Sequence, residues 1–95
     1  MKIEIYPEFQ QELDDILDYI SIDSLQRAIT FKRELYKQIF NIPDMPHKCR
    51  KSIHYDSAQA RDLIFKGYTI TYFIDTNAIL VLGILKYKET FLIKS

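Results

Sequence analysis

Residues 61–86, RDLIFKGYTITYFIDTNAILVLGILK, leave this chain few choices of fold. They hold three runs of β-branched and aromatic residues, parted only by Gly67 and by Asp75-Thr76-Asn77. Connections this short between such runs mark an antiparallel meander. The last run, residues 79–85, has no polar side chain. A strand apolar on both faces is central in its sheet or covered on both sides. The middle run alternates instead. Tyr68, Ile70, Tyr72 and Ile74 share one face, and Thr69, Thr71, Phe73 and Asp75 share the other. One face of the sheet is therefore expected to pack on a core and the other to stay at least partly open.

Upstream the periodicity changes. Ile3 and Ile5 alternate with Lys2 and Glu4 in a short strand that stops at Pro7, which has no N–H to donate. From Pro7 to about Ile22, the residues Phe9, Leu13, Ile16, Leu17 and Ile20 recur on one helical stripe. Asp23-Ser24 breaks this helix and supplies capping side chains for the next, from about Leu25 to Ile42, which Pro43 and Pro46 end. The second helix carries two stripes. One is Ala28, Phe31, Leu35, Ile39 and Ile42; the other is Leu25, Ile29, Tyr36 and Phe40. So wide an apolar face is expected to meet both a neighbouring helix and a sheet. The two-residue break folds the pair into an antiparallel helical hairpin. Residues 47–59 read as a long loop, with a bit of strand expected at Ile53 and Tyr55. The whole is an α+β two-layer domain over residues 1–95: N-terminal strand, antiparallel helical hairpin, then a three-stranded antiparallel meander.

Charge is zero overall but unevenly spread. Residues 1–23 carry seven acids and one base, whereas residues 24–54 carry seven bases and two acids. Two readings follow: solvated helix faces that attract each other, or a basic patch of Arg27, Lys32, Arg33, Lys37, Lys48, Arg50 and Lys51 that meets an acidic partner or nucleic acid. Zero net charge counts against tight electrostatic binding of RNA. No run approaches the roughly 18 apolar residues of a membrane span, and the N-terminus lacks the apolar core of a signal peptide. One cysteine, Cys49, makes no internal disulfide, which suits a cytoplasmic protein. His47-x-Cys49 with His54 matches no common zinc spacing and lacks a fourth ligand, so neither metal nor cofactor is expected. There is no nucleophile elbow and no Gly-rich phosphate loop, which counts against a small-molecule enzyme.

The strand–helix–helix–three-strand order joins particular residues: YPEFQQELDDILDYI, the Pro-rich end of the second helix, and RDLIFKGYTITYFID followed by AILVLGILK. Together these resemble the RelE/ParE superfamily of toxins from bacterial type II toxin–antitoxin pairs, over nearly the whole chain. The resemblance implies one of two activities. RelE-like members cut messenger RNA on the ribosome, with basic groups steadying the phosphate and a Tyr, His or Glu moving protons. ParE-like members act as protein ligands that poison DNA gyrase. By the resemblance, Arg61 matches an arginine common to both branches, and Gly83 stands where the RNase branch has its catalytic arginine. Lys86 falls on the family's histidine after that strand, next to Tyr87. Arg61, Lys86, Tyr87 and the loop residue His54 are therefore the candidates for catalysis. Gly83 inside an apolar strand also implies the close approach of another group. The ParE-like branch is favoured, with a cognate antitoxin covering the open sheet face and the hairpin. Phe73 and the tail residues Phe91, Leu92 and Ile93 are the candidate partner contacts. Exposed edges and an apolar tail invite association with further copies or with the antitoxin.

Overall fold

The computed structural model describes residues 1–86. The chain runs β1 (Lys2–Ile5), α1 (Pro7–Asp23), α2 (Leu25–Asn41), a 3₁₀ turn (Ile42–Asp44), β2 (Arg50–Lys51), β3 (Ala60–Phe65), β4 (Tyr68–Ile74) and β5 (Ala78–Lys86). The meander is present as expected, but two edge strands extend it into a five-stranded mixed sheet ordered β1-β5-β4-β3-β2. β1 lies parallel to β5, with Ile3 opposite Ile79 and Ile5 opposite Val81. Parallel neighbours need a long connection, and the helical hairpin and meander between β1 and β5 supply it. The wholly apolar run thus occupies an interior strand. The small outer strand β2 pairs Arg50 with Asp62 and Lys51 with Arg61. It forms there, not at Ile53 and Tyr55, which stay exposed.

Local chemistry accounts for each junction. Pro7 sits in the first turn of α1 and ends β1. Ser24 alone separates the helices, and its Oγ accepts from the Arg27 N–H at 3.2 Å, capping α2. β3 and β4 are joined by Lys66-Gly67, both with positive φ (48° and 84°), the conformation that matches the twist of a two-residue hairpin.

Both helices cover one face of the sheet. Phe9 and Leu13 of α1 and Phe31, Leu35 and Ile39 of α2 pack with Ile70, Tyr72, Ile79, Val81 and Ile84. Phe31 meets the rings of Phe65 and Tyr68 edge-on at 5.3 and 5.5 Å. The first stripe of α2 is buried as expected; the second is not. Leu25, Ile29 and Phe40 are exposed, and Tyr36 is half-buried. α1 and the sheet bury the first stripe, so the apolar face of α2 is wider than the part they cover.

The opposite face of the sheet is less open than the alternation implies. Thr69 and Thr71 are buried, while Ile64 and Leu85 are exposed. Between Thr71 and Tyr72 the β4–β5 register shifts by one, with Thr71 opposite Gly83 and Tyr72 opposite Val81. The extra residue, Leu82, is a bulge, and it lets Ile79, Val81 and Ile84 all reach the core although their spacing breaks strict alternation. Among the described residues, no helix is long and apolar enough to cross a membrane.

Two substitutions test these features. Gly67→Ala places a Cβ on a left-handed residue, and thermal unfolding is expected to show a loss of about 1 kcal/mol. Tyr72 is buried, and its hydroxyl donates to the Pro46 carbonyl at 2.7 Å. Burial first, and then a hydrogen bond with the Cys49 thiol, push its ionisation well above the ordinary tyrosine value. The fold therefore favours the neutral phenol: its contribution is complete below pH about 10 and is lost as pH climbs beyond that. Tyr72→Phe should cost about 1 kcal/mol at neutral pH. Above pH 10 its stability should fall less steeply than that of the wild type, by up to about 1.4 kcal/mol per pH unit in urea titrations.

Candidate functional site

The site starts from where β1 stops. The Tyr6 N–H donates to the Val81 carbonyl at 3.0 Å, and then the chain turns into α1. Beyond Val81 the outer edge of β5 faces α1 instead of a strand. There the Ile84 N–H donates to Glu12 Oε1 at 3.0 Å, so a side chain takes the place of a ladder carbonyl. A Cβ built on Gly83 would stand 3.0 Å from that same oxygen. Glycine leaves the room that the carboxylate occupies, which is the close approach expected of a glycine inside this strand.

A cleft of about 520 Å³ opens at this point. Glu8 and Glu12 line it from α1, His54 and Tyr55 from the loop, and Thr71, Leu82, Gly83 and Leu85 from the sheet. Among the described residues, no lysine or arginine lines it. The loop is held over the sheet by Asp62, whose side chain is buried. Asp62 accepts from the Thr71 hydroxyl at 2.9 Å, from the Ile53 N–H at 3.2 Å and from Arg50 Nη2 at 3.5 Å. The Ile53 bond sits one residue before His54, so this carboxylate sets where His54 and Tyr55 stand.

The residues singled out from the sequence do not converge. Arg61 lies on the helix side of β3, and its guanidinium donates to the carbonyls of Ala58, His47 and Cys49 at 3.1–3.3 Å. It is a strut for the chain leaving α2. Lys86 is exposed near the end of β5, its ammonium 5.9 Å from the centre of the Tyr19 ring. Arg61 pairs with Tyr72 and Lys86 with Tyr68, four residues apart along β4, or roughly 13 Å. Of the candidates among the described residues, His54 alone lines the cleft at Gly83. Phe73 is half-buried between Ala60 and Leu80 in the sheet and does not line the cleft. Tyr87, Phe91, Leu92 and Ile93 lie outside the described residues.

The sequence pattern singles out neither Glu12 nor Asp62, and Glu8 reads from it only as a first-turn charge that complements the helix dipole. The signal that could have found Glu12 is Gly83 itself, since a glycine amid aliphatic residues asks what approaches it.

The arrangement can do some chemistry and not other chemistry. A carboxylate-lined cleft with one imidazole attracts cations and hydrogen-bond donors. Among the described residues it offers no lysine or arginine to a phosphate passing through a dianionic transition state.

Comparison with known proteins gives a consistent result. The family model for the ParE toxin of type II toxin–antitoxin systems, parDE, matches residues 3–91. Among solved structures, a chain of the chromosomal ParDE TA system from P. aeruginosa superposes with a TM-score of 0.73 at 15% identity, over 90% of this chain and 95% of that chain. At that identity the superposition speaks for the fold alone. Comparison with curated proteins yields no match.

Asp62→Ala removes the acceptor for a buried hydroxyl, a backbone N–H and an arginine at once. It is expected to cost about 3 kcal/mol in chemical denaturation, against about 1 kcal/mol for Asp62→Asn, which keeps one acceptor oxygen. Equal losses in the two variants would show that the hydrogen bonds do not hold this loop.

Proposed function

The chain belongs to the ParE toxin family of type II toxin–antitoxin systems, and from that membership we propose that it stops bacterial growth by binding a cytoplasmic target such as DNA gyrase and is neutralised by a cognate antitoxin. Binding, not strand scission, is its mode of action. The observation that carries this reading is the Glu12 carboxylate beside Gly83. The RNase branch of the resemblance needs an arginine at this place. Here a negative charge stands in the same space, with Glu8 lining the same cleft. A carboxylate about 4 Å from a phosphate oxygen is unfavourable by roughly 1–4 kcal/mol near a protein surface, where an arginine would be favourable by as much. The other basic candidates do not compensate. Arg61 commits three N–H donors to backbone carbonyls, and Lys86, three residues past Gly83 on β5, lines a neighbouring concavity instead of this cleft.

Inducible expression in bacteria tests the reading, with DNA and protein synthesis followed separately by labelled precursors. Early loss of DNA synthesis with filamentous cells is expected. Early loss of protein synthesis would overturn it in favour of ribosome-dependent mRNA cleavage. Unchanged growth would leave a family member that serves only as a binding module.

A further inference from the structure

The fold breaks up the basic patch that the sequence joins. Arg27 lines a separate concavity near the start of α2, with Gln26, Thr30 and Lys66. Arg50 turns to Asp62 on the open face of the sheet. The bases that stay together lie at the β2 edge, and they gain a residue from outside the patch, because Lys51 stands directly opposite Arg61. The Ser52 N–H donates to the Ala60 carbonyl at 2.8 Å, so Lys51–Arg61 is the pair of this ladder without mutual hydrogen bonds. In such a pair the Cα atoms lie only about 4.5 Å apart and both side chains rise from the same face, so two cations start side by side. The Lys51 N–H and C=O then point away from β3, outward from the sheet, since β2 is its edge.

Like charges directly opposite each other are unfavourable unless something offsets them. Asp62 does not, since it lies on the other face and serves Thr71, Ile53 and Arg50. The Arg61 guanidinium donates through Nε and Nη1 to three carbonyls, and its Nη2 meets no acceptor among the described residues. Lys51 and Lys48 are exposed, and among the described residues neither forms an ion pair. Asp44 lines the same cleft as Lys48, of about 330 Å³, without pairing with it. Arg61 Nη2, the Lys51 amide and two ammonium groups thus share one edge of the sheet.

We propose that this edge binds the phosphodiester backbone of duplex DNA, with Lys48, Lys51 and the Nη2 side of Arg61 as the phosphate contacts. A guanidinium fork beside ammonium groups and an outward amide suits the oxygens of a phosphate. From α2, Gln38 and Asn41 line the cleft next to Lys48, and neutral polar side chains of this kind contact sugar and phosphate. An acidic protein would need an apolar anchor among its charges, and the Lys51–Arg61 rung offers none. Unpaired bases need an exposed ring to stack on, and the aromatic residue that lines this cleft, Tyr72, is buried. The biological meaning of the contact rests on the proposed function, in which the target works on DNA; the binding itself is a property of the chain alone.

The probe is a fluorescein-labelled duplex of about 20 base pairs, whose anisotropy is followed as the full chain is titrated in at about 50 mM salt. Binding is expected with a Kd of about 1–100 µM, and its logarithm should change with log salt at a slope of about 2.7, the value for three phosphates. Lys48→Gln with Lys51→Gln should weaken binding at least about tenfold and cut that slope to about 0.9. Both positions are exposed, and circular dichroism checks that the variant stays folded. Lys32→Gln with Arg33→Gln, on the outer side of α2, should change the Kd less than about twofold. Three outcomes overturn the proposal: no binding at about 1 mM protein, a Lys48/Lys51 variant with the slope of the wild type, or tighter binding of a polyglutamate peptide or a single-stranded RNA than of the duplex. Duplex binding by a chain that leaves growth unchanged would sink the growth-arrest reading and leave this inference standing; filamentous arrest without duplex binding would do the reverse.

Discussion

Four residues of parallel pairing between β1 and β5 decide how the rest of this structure is arranged. Pro7 cuts β1 short, so only the first half of β5 has a strand on its outer side. The second half needs another partner for its amides. α1 runs past that edge because Pro7 also starts the helix, and Glu12 comes level with Ile84. A carboxylate that accepts from a strand N–H must stand close to the strand, and Gly83 is the residue that allows it. The length of β1, the proline, the glutamate, the glycine and the sign of the charge in the cleft are thus one chain of causes.

Legibility followed the same physics. The meander and both helices could be read from the sequence because period-2 and period-3.6 patterns report which face is buried, and here the buried faces are contiguous. The core residues Phe9, Leu13, Phe31, Leu35, Ile39, Ile70 and Tyr72 came with them. Pairing across the sheet could not be read: nothing in Ile3 or Ile5 says that the neighbour is β5. Nor could the fate of the second α2 stripe, since periodicity marks Ile29 and Phe40 as apolar but does not say whether anything covers them. The site was the least legible part. Glu12 acts through a hydrogen bond to a residue 72 positions away and Asp62 through three bonds to residues 9 and 12 positions away, and no local pattern encodes such contacts. Arg61 stood out only through the resemblance, and its bonds to the carbonyls of Ala58, His47 and Cys49 are likewise contacts that no local pattern encodes.

The uneven charge of the chain also becomes intelligible. The acids of the first segment do not simply face the bases of the second across the hairpin. Among the described residues the short charge contacts include Lys66 with Glu34 at 2.6 Å, Arg50 with Asp62 at 3.5 Å and Lys2 with Glu4 at 3.7 Å. Lys66 holds the Glu34 carboxyl below its usual range, first through the hydrogen bond and then through charge, but both side chains are about half exposed, where such a pair adds little to stability. Separation of sign over the surface serves recognition better than it serves the fold.

The bulge at Leu82 bears on how this chain is set against its relatives. One extra residue in β5 means that positions before and after it obey different face rules. An alignment scored on alternation alone would carry one half of the strand into register and put the other half one place out. Equivalence at residue 83 is then a matter of counting from the C-terminal side of the insertion, not from the N-terminal side. A relative without the bulge would present a different residue to the same space, so the chemical comparison between the two branches turns on structural superposition of this strand more than on columns of letters.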